Sequence, residues 1–298
     1  MSILITGTSG FVGKRVIEQL RARYNDEDII TFSSSPINGI KNIYSNNYVF
    51  DSDYLVNSGC EDVETLVHIG AFTPKSGSEA NDINKSSSNI ENTGRLLEAL
   101  AKTKSLKRIV YLSTLDVYES TDDIISENTP VGPQTMYGWS KLYCEEMVKT
   151  FAKENDILFC VLRLGHVYGE GEEKYRKVMP VMIKSALQKE GISIYGDGEA
   201  LRSFIYIEDV AKAVVNSLKL PSSDIINIVG NEAISINDLA KKIIELSGND
   251  IKIEHISSNV ANRNYIFDNS KLLNTLLDSL TPLETGLKRE MEYLKQLS

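Results

Sequence analysis

Short aliphatic runs alternate with stretches of helical periodicity over the first 165 residues. Each run is almost continuously apolar, which is typical of a parallel strand covered by helices on both faces. The predicted strands are 3–6, 29–32, 48–50, 65–69, 108–112 and 158–162, and the predicted helices between them are 14–23, 89–102 and 137–153. This order predicts an α/β fold with a Rossmann-type, doubly wound parallel sheet.

The first predicted strand leads directly into a glycine-rich turn, Gly7-Thr8-Ser9-Gly10-Phe11-Val12-Gly13, which opens a helix. A strand, a glycine turn and a helix in this order are the context that a dinucleotide-binding fingerprint requires. We expect Gly7 and Gly10 to let the backbone approach a pyrophosphate at the helix N-terminus, and Gly13 to let helix and strand pack closely. The spacing is G-x-x-G-x-x-G rather than the commoner G-x-G-x-x-G.

The second predicted strand ends in three serines, Ser33, Ser34 and Ser35. An acidic residue at this place would accept a hydrogen bond from the adenosine ribose 2′-hydroxyl, and an arginine would favour a 2′-phosphate. Serine hydroxyls tolerate either ribose, and no arginine stands there to favour the phosphate, so these residues leave the choice between NAD and NADP open. Asp51, after the third predicted strand, is a candidate acceptor for the adenine amino group.

The regular alternation ends near Gly165. Beyond it the sequence predicts helices at 178–188, 236–246 and 283–297, and a strand followed by a helix over 203–218. We therefore expect a dinucleotide-binding domain over 1–165, to which about 203–220 return. Residues 166–202 and 221–298 then form a smaller, C-terminal substrate-binding lobe.

Tyr137 and Lys141 are four residues apart and therefore lie on one face of a predicted helix. Lowering the pKa of a phenol from ~10 to ~7 takes about 4 kcal/mol of preferential stabilisation of the phenolate. A lysine ammonium and the positive nicotinamide of an oxidised cofactor would supply it. The run Tyr111-Leu112-Ser113-Thr114-Leu115-Asp116-Val117-Tyr118 lies at the end of the fifth predicted strand, where open parallel sheets bind ligands, and a hydroxyl there would share the substrate's reacting oxygen with Tyr137.

The ordered motifs of the chain resemble the extended short-chain dehydrogenase/reductase family, the group of NAD-dependent epimerases and dehydratases. The likeness covers nearly the whole chain. Besides the glycine turn, Thr114 and the Tyr137–Lys141 pair, it rests on the runs Leu66-Val67-His68-Ile69-Gly70-Ala71, Asn89-Ile90-Glu91-Asn92-Thr93, Arg163-Leu164-Gly165-His166-Val167-Tyr168-Gly169, Ile194-Tyr195-Gly196-Asp197-Gly198 and Arg202-Ser203-Phe204-Ile205-Tyr206.

The resemblance implies a tyrosinate that takes the proton of a sugar hydroxyl while the ring carbon gives hydride to the nicotinamide. The implied catalytic residues are Thr114, Tyr137 and Lys141. The implied cofactor-binding residues are Gly7, Gly10, Phe11, Val12, Gly13, Ser33, Asp51, Ser52, Ala71, Asn89, Tyr137 and Lys141. The implied substrate-binding residues are Thr73, Thr114, His166, Tyr195, Arg202 and Arg263.

Four positions depart from the family's pattern. Dehydratases of the family carry Asp-Glu after the catalytic threonine, and this chain has Leu115-Asp116, which disfavours dehydration. His166 replaces an asparagine and Ser203 replaces an aspartate. Members of the family bind the substrate phosphates with two arginines, the first of which is matched by Arg202. The second has no direct match in this chain, and Arg263 is the candidate to replace it.

These observations favour a nucleotide-sugar epimerase that inverts C4 of an NDP-hexose through a 4-keto intermediate, with tightly bound NAD. The alternative is an NADPH-dependent reductase of an NDP-4-keto-sugar. A third hypothesis is a dinucleotide-binding regulator that has lost catalysis, which the intact set of Thr114, Tyr137 and Lys141 disfavours.

Charge and composition limit the other partners. A net charge of −9 disfavours nucleic acid and anionic membranes as partners. No basic leader precedes the first apolar run, so we expect a cytoplasmic protein. Three cysteines without metal-ligand spacing predict reduced, packed thiols and no metal. Family members commonly pair through helices matching 89–102 and 137–153, so a homodimer is expected.

Overall fold

The computed structural model describes residues 1–175, 177–258 and 263–297. Within these ranges the strands are β1 (Ile3–Thr6), β2 (Ile29–Phe32), β3 (Lys41–Ile43), β4 (Thr65–His68), β5 (Arg108–Thr114), β6 (Leu158–Leu164), β7 (His166–Tyr168), β8 (Ile192–Tyr195), β9 (Leu201–Tyr206), β10 (Asp224–Ile228), β11 (Ala233–Ser235) and β12 (Ile253–Ile256). The α-helices there are α1 (Phe11–Arg21), α2 (Tyr54–Asn57), α3 (Gly77–Ala80), α4 (Ile83–Leu100), α5 (Met136–Glu154), α6 (Val178–Gln188), α7 (Ile207–Ser217), α8 (Ile236–Ser247), α9 (Ser270–Thr275) and α10 (Leu283–Leu297). Short 3-10 helices occur at Asp26–Asp28, Asn46–Tyr48, Leu115–Val117 and Glu172–Tyr175.

The main sheet has the strand order β10-β6-β5-β4-β1-β2-β3. β1 pairs in parallel with β2 on one side and with β4 on the other, and β4, β5 and β6 continue in parallel. The chain thus winds outward in both directions from β1. This confirms the doubly wound sheet, whose ligand site is expected at the carboxyl ends of β1 and β4, where the strand order reverses.

The core of the main sheet lies between its strands and helices α4 and α5. Leu4, Leu66 and Ile109 from adjacent strands form one buried cluster with Leu96 of α4 and Val148 of α5. Both helices begin at a capping side chain. Asp82 accepts a hydrogen bond from the Lys85 amide at 3.0 Å, and Thr135 accepts one from the Gly138 amide at 3.0 Å. The start of α5 lies beside the end of β5, where the Lys141 side chain donates to the Leu112 carbonyl.

The third predicted strand was wrong. Residues 48–50 are not in a strand, and the third strand of the sheet is β3, at Lys41–Ile43. Asn47 and Tyr48 have φ angles of 51° and 60°, which a strand does not allow. Its two rings are half-buried instead, because the Phe32 ring lies 5.3 Å from those of both Tyr48 and Phe50, edge to face, while Val49 is exposed.

The chain divides into two compact units. The first comprises Met1–Ser120, Thr129–Leu164 and Ala211–Asn227, and the second comprises Thr121–Asn128, Gly165–Val210 and the described residues from Ile228 onward. The return to the first unit therefore begins at Ala211 rather than at about residue 203. The reason is that β9 pairs with β7 and β11 in a sheet of the second unit. The functions assigned to the two parts stay predictions.

The second unit contains a three-stranded sheet, in the order β11-β9-β7, and the parallel pair β12-β8. Residues 121–128 join it because Ile125 pairs with Phe267. The predicted helices α6 and α10 have the expected bounds. Over both units, no helix in the described part of the chain has the length and apolar character needed to cross a membrane. The three cysteines are free and buried.

Candidate active site

The glycine turn after β1 has the form that a dinucleotide requires. Gly7 has a φ of 74°, and a Cβ there would lie 2.5 Å from the Gly70 amide nitrogen. A Cβ on Gly13 would lie 2.1 Å from the Gly7 carbonyl oxygen. Helix α1 begins at Phe11 with Gly10 as its N-cap, and a glycine has no side chain with which to cap the first amides. The helix N-terminus is thus shaped to accept phosphate oxygens, so the residues present fit NAD.

The buried His68 is hydrogen-bonded to Thr6, the residue just before the glycine turn. The Thr6 hydroxyl accepts hydrogen bonds from the amide of Gly70, at 2.9 Å, and of the residue before it, at 3.1 Å. The same hydroxyl lies 2.8 Å from Nδ1 of His68, and Nε2 of His68 lies 3.1 Å from the Thr93 hydroxyl, so each ring nitrogen has a hydroxyl as its hydrogen-bond partner. Burial, with a smaller effect of Lys141, lowers the pKa of His68 to about 3, so its imidazole is neutral.

The residues predicted to hold the adenosine lie at the neighbouring strand end. Thr6 pairs with Phe32, so Gly7 and Ser33 leave the sheet side by side. The Ser33 hydroxyl is buried and accepts a hydrogen bond from the Ser35 amide at 3.1 Å. Asp51 is exposed next to a half-buried Ser52, and its carboxylate accepts from the Asp53 amide at 3.1 Å. Phe11 and Val12 are half-buried in the first turn of α1.

Asn89 of α4 organises the loop after β4. Its side-chain oxygen accepts from the Phe72 amide at 2.7 Å, and its side-chain nitrogen donates to the Phe72 carbonyl at 3.3 Å and to the Ser140 hydroxyl at 3.2 Å. Asn89 is 2% exposed and so ties the loop to α5. Ala71 and Thr73, on either side of Phe72, are exposed.

Thr114, Tyr137 and Lys141 come together at the end of β5. Tyr137 makes side-chain hydrogen bonds to Thr73 and Thr114. The Lys141 ammonium donates to the Leu112 carbonyl at 2.6 Å and lies 4.3 Å from the centre of the Tyr111 ring. Tyr137 and Lys141 are 7% and 2% exposed. The structure thus collects a phenol, an ammonium and a hydroxyl in one buried place.

The electrostatics of this set differ from the simple expectation of a lowered phenol pKa. Burial, and next the nearby Asp116 carboxylate, raise the pKa of Tyr137 well above its ordinary value, against the hydrogen bonds of Thr73 and Thr114. Burial lowers the pKa of Lys141 to about 8. At neutral pH Tyr137 is therefore a neutral phenol and Lys141 is mostly charged. Burial and the Asp116 carboxylate thus both oppose formation of the Tyr137 phenolate.

Two acidic residues near this set were not named as site residues from the sequence. Asp116 was noted only as a departure from the dehydratase pattern, and its carboxylate accepts a hydrogen bond from the Thr114 hydroxyl at 3.2 Å. Glu145 forms a buried ion pair with Arg163. Its spacing of four residues from Lys141 was a signal that could have pointed to it, because that spacing repeats the step from Tyr137 to Lys141.

In the second unit, His166, Arg202 and Arg263 surround Tyr265. The guanidinium carbons of Arg202 and Arg263 lie 4.8 and 4.5 Å from the centre of its ring, and the His166 ring lies 5.3 Å from it. Arg202 also donates to the carbonyls of Leu201, at 2.8 Å, and of Arg263. Tyr265 was not predicted. Two guanidinium groups held by one ring form a cationic cluster suited to a diphosphate.

His166 and Tyr195 differ in their surroundings. Burial, then the charges of Arg202 and Lys177, lower the pKa of His166 to about 4, so this histidine is neutral. Its Nδ1 is buried with no hydrogen-bond partner among the residues that the structure describes. Tyr195 is 72% exposed and belongs to the β12-β8 sheet. The substrate-binding roles of both residues stay predictions.

Comparison with known proteins identifies the family of this chain. The model of the NAD-dependent epimerase/dehydratase family matches residues 3–229. An uncharacterized UDP-glucose epimerase of Bacillus subtilis is 30% identical over 315 residues, which cover 100% of this chain and 99% of that protein. A trifunctional UDP-glucose 4,6-dehydratase, epimerase and reductase of Arabidopsis thaliana is 28% identical over 99% of this chain, which spans 47% of that protein.

A solved structure agrees with these relatives. The UDP-glucuronic acid 4-epimerase of Bacillus cereus, in complex with UDP-glucuronic acid and NAD, is 26% identical, has a TM-score of 0.84 and is covered over 100% of both chains. The resemblance found in the sequence, the Rossmann-type fold and NAD as the cofactor of the family are thereby confirmed. The chain belongs to the NAD-dependent epimerase/dehydratase family, whose members are nucleotide-sugar enzymes of the extended short-chain dehydrogenase/reductase type.

Proposed function

We propose that the protein is a 4-epimerase of a UDP-linked hexose that works through a 4-keto intermediate with bound NAD. The observation that carries this proposal is the buried set in which Tyr137 is hydrogen-bonded to Thr114 with Lys141 one helical turn away. A proton acceptor, an orienting hydroxyl and a cation are what alcohol–ketone interconversion needs. The similarity to a UDP-glucuronic acid 4-epimerase supports the position of the chemistry at C4.

Each residue of the set has a distinct task in this reaction. The Tyr137 oxygen takes the proton of the 4-hydroxyl during oxidation and returns it after the keto sugar has turned over. The Thr114 hydroxyl holds the same sugar oxygen, and the Lys141 ammonium favours the phenolate form of Tyr137. Bound NAD supplies reversible acceptance of the hydride from C4, and its positive nicotinamide adds to the charge that favours the phenolate.

The cationic cluster of the second unit is proposed to hold the nucleotide diphosphate. Arg202 and Arg263 present planar guanidinium groups, which match phosphate oxygens in pairs. His166 is neutral and offers Nδ1 as a further hydrogen-bonding atom. Tyr195, with its exposed ring, is proposed to pack against the base of the nucleotide.

Incubation with a panel of UDP-hexoses and UDP-hexuronic acids tests the proposal, with the products resolved by chromatography and NMR. We expect a pair of C4 epimers to interconvert without added reductant. Tyr137→Phe should lower the rate by about 10²- to 10⁴-fold while the fold and NAD binding persist. Failure of every UDP-hexose and UDP-hexuronic acid of the panel to interconvert would contradict the proposal.

One observation favours a second candidate, the reduction of an NDP-4-keto-sugar with NADPH. β2 is followed by Ser33–Ser35, and this end of the strand offers no carboxylate to repel a 2′-phosphate. A stoichiometric fall in absorbance at 340 nm with a keto-sugar substrate would support the reductase over the epimerase. Mass spectrometry of the dinucleotide that co-purifies separates retained NAD from a freely exchanging NADPH.

We further propose that a second copy of the chain covers helices α4 and α5. Ile83, Met136, Trp139 and Tyr143 are 64%, 37%, 50% and 57% exposed, although they are large and apolar. They line one groove of about 370 Å³. Exposed aromatic residues of this kind are typical of the centre of an interface. Light scattering should give a dimer at micromolar concentration, and Trp139→Glu should give a monomer.

A further inference from the structure

A buried ion pair joins helix α5 to strand β6. The Arg163 guanidinium donates to both carboxylate oxygens of Glu145, from Nε at 3.1 Å and from Nη2 at 2.7 Å. Glu145 is 0% exposed and Arg163 is 4% exposed. A buried pair of this kind gives little net stability, because removing two charges from water costs about as much as their attraction returns. Its presence therefore calls for an explanation other than stability.

The position of Glu145 relates it to the catalytic helix. Tyr137, Lys141 and Glu145 follow one another at intervals of four residues, so Glu145 continues the face of α5 that carries the other two. All three side chains are buried. Glu145 therefore brings a negative charge to the turn of helix next to the Lys141 ammonium.

Arg163 holds this carboxylate in place from the side of β6. Its guanidinium carbon lies 4.7 Å from the centre of the Tyr118 ring. The Tyr118 hydroxyl in turn donates to the side-chain oxygen of Asn227 at 2.7 Å. With two parallel hydrogen bonds and a stacked ring, the guanidinium keeps one orientation, and so does the carboxylate bound to it.

The buried Lys141 ammonium needs a nearby negative charge to keep its proton. It is 2% exposed, and burial lowers its pKa to about 8, while Cys144 and Glu145 act in the opposite direction. Among the described residues, the other titratable groups near it are Tyr137 on the same face of α5, Tyr111 of β5 and His68 of β4, and both Tyr137 and His68 are neutral at neutral pH. Glu145 is therefore the carboxylate that opposes the loss of the Lys141 proton.

We propose that Glu145, clamped by Arg163, is a positioning residue that keeps Lys141 charged through the catalytic cycle. The proposal rests on the proposed roles of Tyr137 and Lys141 in proton transfer. It assigns the ion pair to the catalytic helix rather than to the stability of the fold. A neutral residue at position 145 would let Lys141 lose its proton near neutral pH, and the Tyr137 phenolate would then lose the support of that charge.

The variant Glu145→Gln tests the proposal, because it keeps the shape and one acceptor oxygen for Arg163 and removes the charge. We expect the alkaline limb of the pH–rate profile, set by Lys141, to move down by about one pH unit, with a roughly tenfold lower kcat/KM at pH 8. Glu145→Asp should restore most of the profile. Glu146→Gln is the matched control, since Glu146 is the exposed neighbour that pairs with Lys149, and it should leave the profile unchanged.

A readout that does not need activity separates this proposal from the proposed function. The ¹³Cε signal of Lys141, assigned by its loss in Lys141→Met, reports the lysine pKa directly by NMR titration. A lower Lys141 pKa in Glu145→Gln supports the proposal even if no sugar substrate reacts. An unchanged Lys141 pKa in a folded Glu145→Gln protein overturns it, even if the enzyme proves to be a 4-epimerase.

A second variant covers the case in which Glu145→Gln does not fold because Arg163 is left as an unpaired buried charge. Replacing both partners, Glu145→Gln with Arg163→Met, removes the two charges together, which proteins commonly tolerate. This double variant is expected to lower the Lys141 pKa as well, but by less than Glu145→Gln, because the repulsion from the Arg163 cation is removed together with the attraction of the Glu145 carboxylate. If it retains the original Lys141 pKa, the ion pair serves only to join α5 to β6 and the proposal is wrong.

Discussion

The Thr114 hydroxyl donates a hydrogen bond to the Asp116 carboxylate across 3.2 Å, and the Asp116 amide donates back to the same hydroxyl at 3.3 Å. Thr114 is thereby oriented with its hydrogen toward Asp116. In this orientation its oxygen accepts from the neutral Tyr137 phenol or a substrate hydroxyl, and the hydroxyl must turn from Asp116 to donate to a Tyr137 phenolate, which is the hydrogen bond that lowers the Tyr137 pKa. The same carboxylate is, after burial, the second cause of the raised pKa of Tyr137. Asp116 therefore both orients Thr114 and opposes the ionisation of Tyr137.

Replacing Asp116 by asparagine should therefore lower the Tyr137 pKa, because an uncharged amide still accepts from Thr114 but no longer repels the phenolate. Activity that needs the phenolate should then appear at lower pH, so the acid limb of the pH–rate profile moves down by about half a pH unit. Asp116 is exposed, so added salt should weaken the same effect in the unchanged protein. Asp123→Asn, at another exposed aspartate, is the control, and an unmoved acid limb in Asp116→Asn would contradict the prediction.

Gly7→Ala should disrupt the dinucleotide turn. The added Cβ would lie 2.5 Å from the Gly70 nitrogen at a φ of 74°, so either the turn or the loop after β4 must move. We expect a loss of more than about 2 kcal/mol in the free energy of unfolding, and little NAD retained on purification. Gly77→Ala is the matched control, because nothing lies within 4 Å of a Cβ built at Gly77. Equal NAD content in both variants would show that the turn does not hold the cofactor.

Much of the first unit follows from local sequence. Strands β1, β2 and β4 are short apolar runs buried on both faces, and their alternation with helices is enough to predict the sheet. The run at 48–50 is also apolar, but its two rings pack against Phe32 from outside the sheet and Val49 is exposed, which no local period reveals. An apolar run can also pack against the core from a turn. The prediction of a strand from its composition is then wrong.

In the candidate site, too, some contacts follow from local sequence and others depend on the tertiary fold. Tyr137 and Lys141 share a helix, so their spacing alone predicts that they meet. The partners of Glu145 and Arg202 come from other elements. Arg163 is 18 residues from Glu145, and the carbonyl of Arg263 is 61 residues from Arg202, so these contacts depend on the tertiary fold. Hydrogen-bond partners at such separations are set by topology, and a single sequence carries no local pattern for them.

Arg202→Lys should raise the KM for the nucleotide sugar by about tenfold and leave kcat nearly unchanged. A lysine keeps the charge, but it cannot lie flat on the Tyr265 ring or offer paired donors to a phosphate. Steady-state kinetics with whichever UDP-sugar of the panel reacts provide the measurement. Arg289→Lys is the control, since Arg289 is exposed and lies over another ring of the second unit, that of Tyr206, at 5.7 Å. Parallel changes in KM for both variants would mean that the cluster around Tyr265 does not bind the diphosphate.

The carboxyl groups of Glu172 and Glu290 make the stability of the second unit depend on pH. Each residue is 1% exposed, and the Lys177 ammonium lies 3.3 Å from a carboxylate oxygen of Glu172. Burial, and then the charge of Glu172, raise the pKa of Glu290 to about 9, while Glu170 adds to this effect and Lys177 opposes it. Glu290 is therefore protonated at neutral pH in the folded protein and ionised in the unfolded chain.

A carboxyl whose folded pKa lies above its unfolded value contributes stability that is complete below the unfolded pKa and is lost as the pH rises to the folded one. For Glu290 this window runs from 4.5 to about 9. The melting temperature should therefore fall between pH 6 and pH 9, and Glu290→Gln, which stays neutral, should flatten that fall. Glu284→Gln is the control on the same helix, because Glu284 is exposed and pairs with Lys288. If Glu290→Gln melts with the same pH dependence as the unchanged protein, Glu290 is not protonated in the folded state.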